Sequence, residues 1–475
     1  MKKILFLLML AGLAFSCSKD FADLNTDKKK PSTVPPGGLF TNAQKSLVDL
    51  MTTPNVNTNI FRLLSQNWAQ CTYIDESNYD LTTRNIPQNF WNSMYLNVLK
   101  SLDESKLLIP TEFQVPAVYA NQEACIEILN VYAYSTLVNT FGNVPYTEAL
   151  DSRNLVPKYD DAATIYSDLV TRLDAALNSI DESQGGFGSN DLFYGGNMAG
   201  WKTFGNSLKL RLGLMLADVD AAKAKTMVEA AAPGVISSNS ENVSLHYLDA
   251  PPNTNPIWVD LVQSGRKDFV AANTIVDAMN NLGDPRVPLY FSTDASGAAY
   301  VGGPYGSNNN FATYSKPADA VQDPSFEALL MDYTEVEFLL AEAAARGMNV
   351  GGTAAEHYEA AIRASIEYWG GTTAEADAYL AKPEVAYATA AGPWNQKIGT
   401  QKWIALYNRG FEGWTEWRRL DYPILNVPDG LTYADIPLRY TYPVQEQNLN
   451  TTNYDAASSA IGGDKVSTKL FWDKN

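Results

Sequence analysis

"DYTEVEFLLAEAAARG", Asp332 to Gly347, is the stretch from which the fold can be read. Tyr333, Val336, Leu340 and Ala344 recur at three- and four-residue spacing, the period of one helix face, and Gly347 supplies a left-handed stop. The next run opens with Thr353-Ala-Ala-Glu356, a capping box in which each side chain answers the other residue's backbone amide, and stays helical until Gly370-Gly371. Together the two runs form a helix hairpin.

Ala354, Tyr358 and Ala361 carry the small-aromatic-small spacing of the second helix of a tetratricopeptide repeat. Further amphipathic runs stand at "NQEACIEILNVYAYSTLVNTFG" (121–142), "DDAATIYSDLVTRLDAALNSI" (160–180), "GWKTFGNSLKLRLGLMLADV" (200–219) and "TQKWIALYNRGFEGWTEWRRLDYP" (400–423), at irregular intervals. The expectation is an all-α, mainly helical chain of tetratricopeptide-like hairpins. Its second ingredient is a set of long loops, 185–200, 249–267 and 292–317, that such hairpins do not need. Loops this long in a compact domain are either functional or disordered, and Tyr, Trp and Asn set among Gly and Ser favour ordered and functional.

The amino end reads as a targeting segment. Met-Lys-Lys precedes an apolar run from Ile4 to about Phe15 and the small residue Ser16, the layout of a secretory signal peptide and too short to span a bilayer. Ala14-Phe15-Ser16-Cys17 follows the bacterial lipoprotein pattern, in which cleavage exposes a cysteine for acylation. The other reading is an ordinary cleavage near Ser16 beside an incidental cysteine. The polar, Pro/Gly-rich run after Cys17 cannot bury enough apolar surface to fold by itself. We therefore expect a signal peptide at 1–16, a lipidated flexible tether at 17–36 and a single helical domain at 37–475, attached to a membrane through Cys17.

The net charge of -18 argues against nucleic acid, whose binders concentrate Lys and Arg. Cys71 and Cys125 could pair in an oxidising compartment. Each lies in a helical pattern, however, so two buried thiols are expected.

Chemistry-bearing motifs are scarce. There are two histidines, His246 and His357, the second expected to be solvated on the polar side of its helix, and there is no G-x-S-x-G, H-E-x-x-H or Gly-rich phosphate loop. Asp75-Glu76 and Asp160-Asp161 could in principle serve a glycosidase, but Asp160-Asp161 open a helix, where acids cap free amides. No cofactor or metal is expected. The abundant resource is aromatic, 10 Trp and 26 Tyr. A pyranose packs its C–H face on such rings while Asn, Asp and Arg take its hydroxyls. Trp68, Trp201, Trp403, Trp414 and Trp417 lie at helical spacing and are expected in the core. Tyr73, Asp75, Tyr79, Arg84 and Trp91 from one segment (67–95), with Tyr300, Tyr305 and Asn309 from another (292–317), make up the expected ligand site.

A family resemblance runs through the chain in order: "FADLNTDKKKPS" (21–32), "LVNTFGNVPYTEAL" (137–150), "GDPRVPLYF" (283–291), "YTEVEFLLAEAAARG" (333–347), "QKWIALYNRGFEGWTEWRRLDYP" (401–423), "IPLRYTYPVQEQNLN" (436–450) and "KLFWDKN" (469–475). These resemble the SusD/RagB family of nutrient-binding outer-membrane lipoproteins of Bacteroidetes. The resemblance implies a non-enzymatic, surface-exposed lipoprotein that captures oligosaccharide and closes over a SusC-like TonB-dependent transporter, on a SusD-like helical scaffold with a loop-rich binding half. Two alternatives remain: a peptide-binding member of the same family, and a surface glycoside hydrolase.

Overall fold

The computed structural model describes residues 34–112 and 115–474. Cys17, the signal segment and most of the tether lie outside them. The first described helix, α1, spans Pro36–Thr52; it takes in the last residue assigned to the tether, and Pro36 and Gly37 are already buried.

Eight further helices of more than ten residues build four hairpins: α2 (Pro116–Phe141) with α3 (Ala162–Ser179), α4 (Met198–Met215) with α5 (Ala221–Ala231), α6 (Tyr333–Ala345) with α7 (Ala354–Tyr368), and α8 (Trp394–Ala405) with α9 (Gly410–Leu420). They stack in chain order through α3 on α4, α4 on α6 and α6 on α8. The ends behave as the sequence predicts. Thr353 and Glu356 form the capping box of α7, Gly347 follows α6 at φ 78°, and Asp161 caps α3 by accepting from the Thr164 amide at 2.9 Å. Trp68, Trp201, Trp403, Trp414 and Trp417 are all buried, as are the free thiols Cys71 and Cys125.

A layer of buried charge runs through the stack. Arg211 of α4 meets Glu335 of α6 at 2.6 Å, and Arg409, beside the start of α9, holds Asp332 at 3.0 Å and Glu335 at 2.5 Å. Arg419 binds Glu342 of α6 and Glu416, which Lys402 of α8 also reaches at 2.8 Å. Burial pushes the Glu416 carboxyl up, but the Arg419 and Lys402 cations outweigh it and hold it at about 2. Removing one member of such a layer would leave its partners charged and dry.

The C-terminal motif belongs to the same core. The Arg418 guanidinium lies 3.5 Å from the Trp414 ring centroid and 5.0 Å from that of Trp472, whose indole N–H donates to Asn139 of α2 at 3.0 Å. His357 departs from its expected solvated setting. It is half-buried, with Nδ1 2.7 Å from a Glu337 carboxylate oxygen, because the hairpin turns its face toward α6.

Among the described residues there are four short strands: β1 (Trp68–Gln70), β2 (Val243–Leu245), β3 (Phe269–Ala271) and β4 (Ala328–Met331). They pair antiparallel as β1 with β3 and β2 with β4. The β1–β3 ladder sets Gln70 opposite Phe269, and the long loops dock against it.

Candidate functional site

β1 and β3 bring the two expected ligand segments together. The 292–317 loop adds a parallel bridge from Gly303 to Ala272, and its backbone comes so close that a Cβ on Gly302 would lie 2.4 Å from the Asn273 Cα. The segment after β1 is tied to this loop by the Asn78 amide, which donates to the Gly306 carbonyl at 2.9 Å. The Tyr79 and Tyr305 rings meet with centroids 6.4 Å apart. Beneath them Ala69, Cys71, Val270, Ala272 and Tyr305 form a small core of their own.

This segment carries unusual backbone. Gln66, Tyr73, Tyr79 and Asn85 all adopt positive φ (54°, 54°, 68° and 52°), more than half of the seven non-glycine residues that do so among the described residues. Asn tolerates this region, whereas a tyrosine held there costs about 1–2 kcal/mol unless its surroundings impose it. Gln70 is one such constraint. Its Oε1 accepts from the Ser77 amide at 2.9 Å and hydroxyl at 2.6 Å, while its amide N–H donates to Glu76 at 2.6 Å and to the Tyr73 carbonyl at 3.0 Å. Arg84 pairs with the fully buried Glu76 and places its guanidinium 6.0 Å from the Tyr73 ring centroid. Tyr73 is left 68% exposed, with Asp75 exposed beside it.

The expected residues therefore divide. Tyr73, Asp75 and Arg84 present side chains on this face, and Tyr79 is half-buried behind them, burial pushing its hydroxyl up to about 12. Tyr300 packs half-buried against the main core, its carbonyl accepting from Asn280 at 2.9 Å. Three placements correct the sequence reading. Tyr305, 5% exposed, is a floor residue of the small core. Asn309, also 5% exposed, staples the loop by donating to the Gln70, Pro304 and Ser307 carbonyls. Trp91, 6% exposed, sits in the main core between Tyr95 and Phe141 and looks onto a different cleft of about 380 Å³ lined by Leu96, Leu150 and Leu155. It lies on a helix whose inward face sequence proximity to the loop did not reveal.

Two other readings meet the structure here. The 185–200 loop is a brace, with Phe187 stacked on Phe40 of α1 at 4.0 Å and Asp191 accepting from Gln44 and from the Trp201 indole. Asp160 accepts from the Tyr146 and Thr147 amides and Asp161 caps α3, so both are engaged by backbone. The face also contains residues the sequence reading passed over. Phe311 is half-buried, with Lys267 and Lys316 over its ring. Nothing local joins them in the sequence: Lys267 ends the 249–267 loop and Lys316 stands near the end of the 292–317 loop.

Residues 28–443 match the SusD-like family described as starch-binding and associating with the outer membrane. The chain belongs to that family. Solved structures agree with this SusD-like assignment. A chitin-binding protein shares 28% identity with a TM-score of 0.80, over 93% of this chain and 100% of its own. A chitin-binding SusD homologue from Flavobacterium johnsoniae shares 27% at 0.78, over 93% and 98%. A SusD homologue from Bacteroides uniformis shares 27% at 0.78, over 92% and 99%. No curated protein sequence matches the chain. Among the described residues of this SusD-like chain, no helix is long and apolar enough to cross a membrane.

Proposed function

We propose that this protein is a glycan-binding lipoprotein of the outer membrane, held there by lipid on Cys17, that captures oligosaccharide at the cell surface and passes it to a SusC-like TonB-dependent transporter. It acts by binding and not by cleavage. The observation that carries the reading is the face after β1, where strained backbone projects Tyr73 outward with Asp75 and Arg84 beside it. An exposed ring flanked by a carboxylate and a guanidinium can take the apolar face and the hydroxyls of one sugar. Family membership and the chitin-binding relatives support glycan over peptide.

The test is Tyr73→Ala combined with Asp75→Ala, run on gels containing starch, chitin oligosaccharide or acidic polysaccharide. Arg84 is left in place because its removal would strand the buried Glu76. Loss of retention with unchanged melting is expected, and undiminished retention would overturn the site. For the partner, affinity purification from solubilised outer membranes should recover a TonB-dependent transporter; its absence would remove the delivery step.

A further inference from the structure

The charge on the candidate face does not follow the charge of the chain. Overall the protein is at -18, yet the cations Arg84, Arg266, Lys267 and Lys316 stand around this face with the acids Asp75, Glu76 and Asp268. Two are neutralised, Arg84 by Glu76 and Arg266 by Asp268 at 2.5 Å. The other two, Lys267 and Lys316, form no ion pair among the described residues. Both are drawn to one ring, with Lys267 Nζ 5.7 Å and Lys316 Nζ 5.1 Å from the Phe311 centroid, and Lys316 also donates to the Tyr314 carbonyl at 2.9 Å. The ring attracts each ammonium without neutralising it, so both charges stay available to an anionic ligand.

Their placement is set by the ladder that builds the face. Lys267 precedes Asp268, whose carbonyl accepts from the Cys71 amide at 2.8 Å, two residues before Tyr73. Lys316 follows Ser315, whose carbonyl accepts from the Ala271 amide of β3 at 2.8 Å. Lys267 thus stands at the end of β3 where the Tyr73 segment leaves β1, and Lys316 follows the segment bonded to β3 at Ala271. Asp75 opposes an anion from the face itself, and the acidic remainder of the protein only at long range. At physiological salt the Debye length is about 8 Å, so charges at contact distance decide.

We propose that the glycan taken at this face is acidic, its carboxylate or sulfate groups paired with Lys267 and Lys316 while a sugar ring packs on Tyr73. This rests on the glycan reading and specifies its substrate class. Titration calorimetry with polygalacturonate, dextran sulfate, starch and chitin oligosaccharide tests it, using the wild type and a Lys267→Gln, Lys316→Gln double variant checked for unchanged melting. The expected result is binding of an acidic polymer that weakens about tenfold in the variant, the combined size of two exposed ion pairs. The binding should also fall in about 1 M salt, where the Debye length is about 3 Å. The preferred polymer distinguishes carboxylate from sulfate. Binding of starch or chitin oligosaccharide without either acidic polymer would overturn the inference and leave the glycan reading standing. Equal affinity of wild type and variant for an acidic polymer would overturn the lysine assignment, and binding of none of the four would overturn both readings.

Discussion

The α6–α9 hairpins and the face built on β1 and β3 come from one chain and use it in opposite ways. In the hairpins, left-handed backbone falls largely where it is cheap, at Gly347 and Gly370 and at Asn408 and Asp421. Asp332 and Thr353 cap the N-termini of α6 and α7, and buried Arg409 and Arg419 lie on carboxylates. On the face, Gln66, Tyr73 and Tyr79 adopt the same left-handed backbone without being Gly, Asn or Asp, and Tyr73 gains no burial in return. Where local preference and structure agree, the chain is organised for stability; where they conflict under tight hydrogen bonding, the conflict marks the candidate site.

The sharpest way to break this comparison is Arg419→Ala. It leaves buried Glu342 with Arg346 alone and buried Glu416 with Lys402 alone, and should lower unfolding free energy by about 3 kcal/mol in urea titrations. A loss under about 1 kcal/mol would mean that water reaches the layer. Acid comes next. Because Glu416 is held at about 2, below its ordinary 4.5, its contribution is complete above pH 4.5 and is lost as pH falls toward 2. Melting temperature followed over that range should drop, and a flat profile would count against the paired state. Asp161→Ala removes the α3 cap and should cost about 1 kcal/mol by the same urea assay. The smallest effect has the opposite sign. Tyr73→Gly relieves the positive φ and should leave stability unchanged or raised by at most about 1 kcal/mol, while abolishing glycan retention. Destabilisation on the scale of Arg419→Ala would make Tyr73 a packing residue and erase the contrast.

Much of the helical half is legible from sequence because its signals are local. The capping box at Thr353 and Glu356, the stop at Gly347, the Asp161 cap and the buried tryptophans each follow from a few neighbouring residues. The charged layer escaped that reading. Glu335, Glu342, Glu416 and Lys402 look like the solvated faces of amphipathic helices, and only the stacking of α4, α6, α8 and α9 turns them inward against one another.

The candidate site shows the same limit more strongly. Sequence alone singled out two aromatic, polar loops as the candidate site, with Tyr73, Asp75 and Arg84 among its residues. Tertiary structure decided that these three stay at the surface while Trp91, Tyr305 and Asn309 turn into cores and staples, and that Lys267 and Lys316, 49 positions apart, share the Phe311 ring. The reason is physical: helix period and caps act over three or four residues, whereas which side of a loop side chain meets water is set by the β1–β3 pairing across about 200 residues.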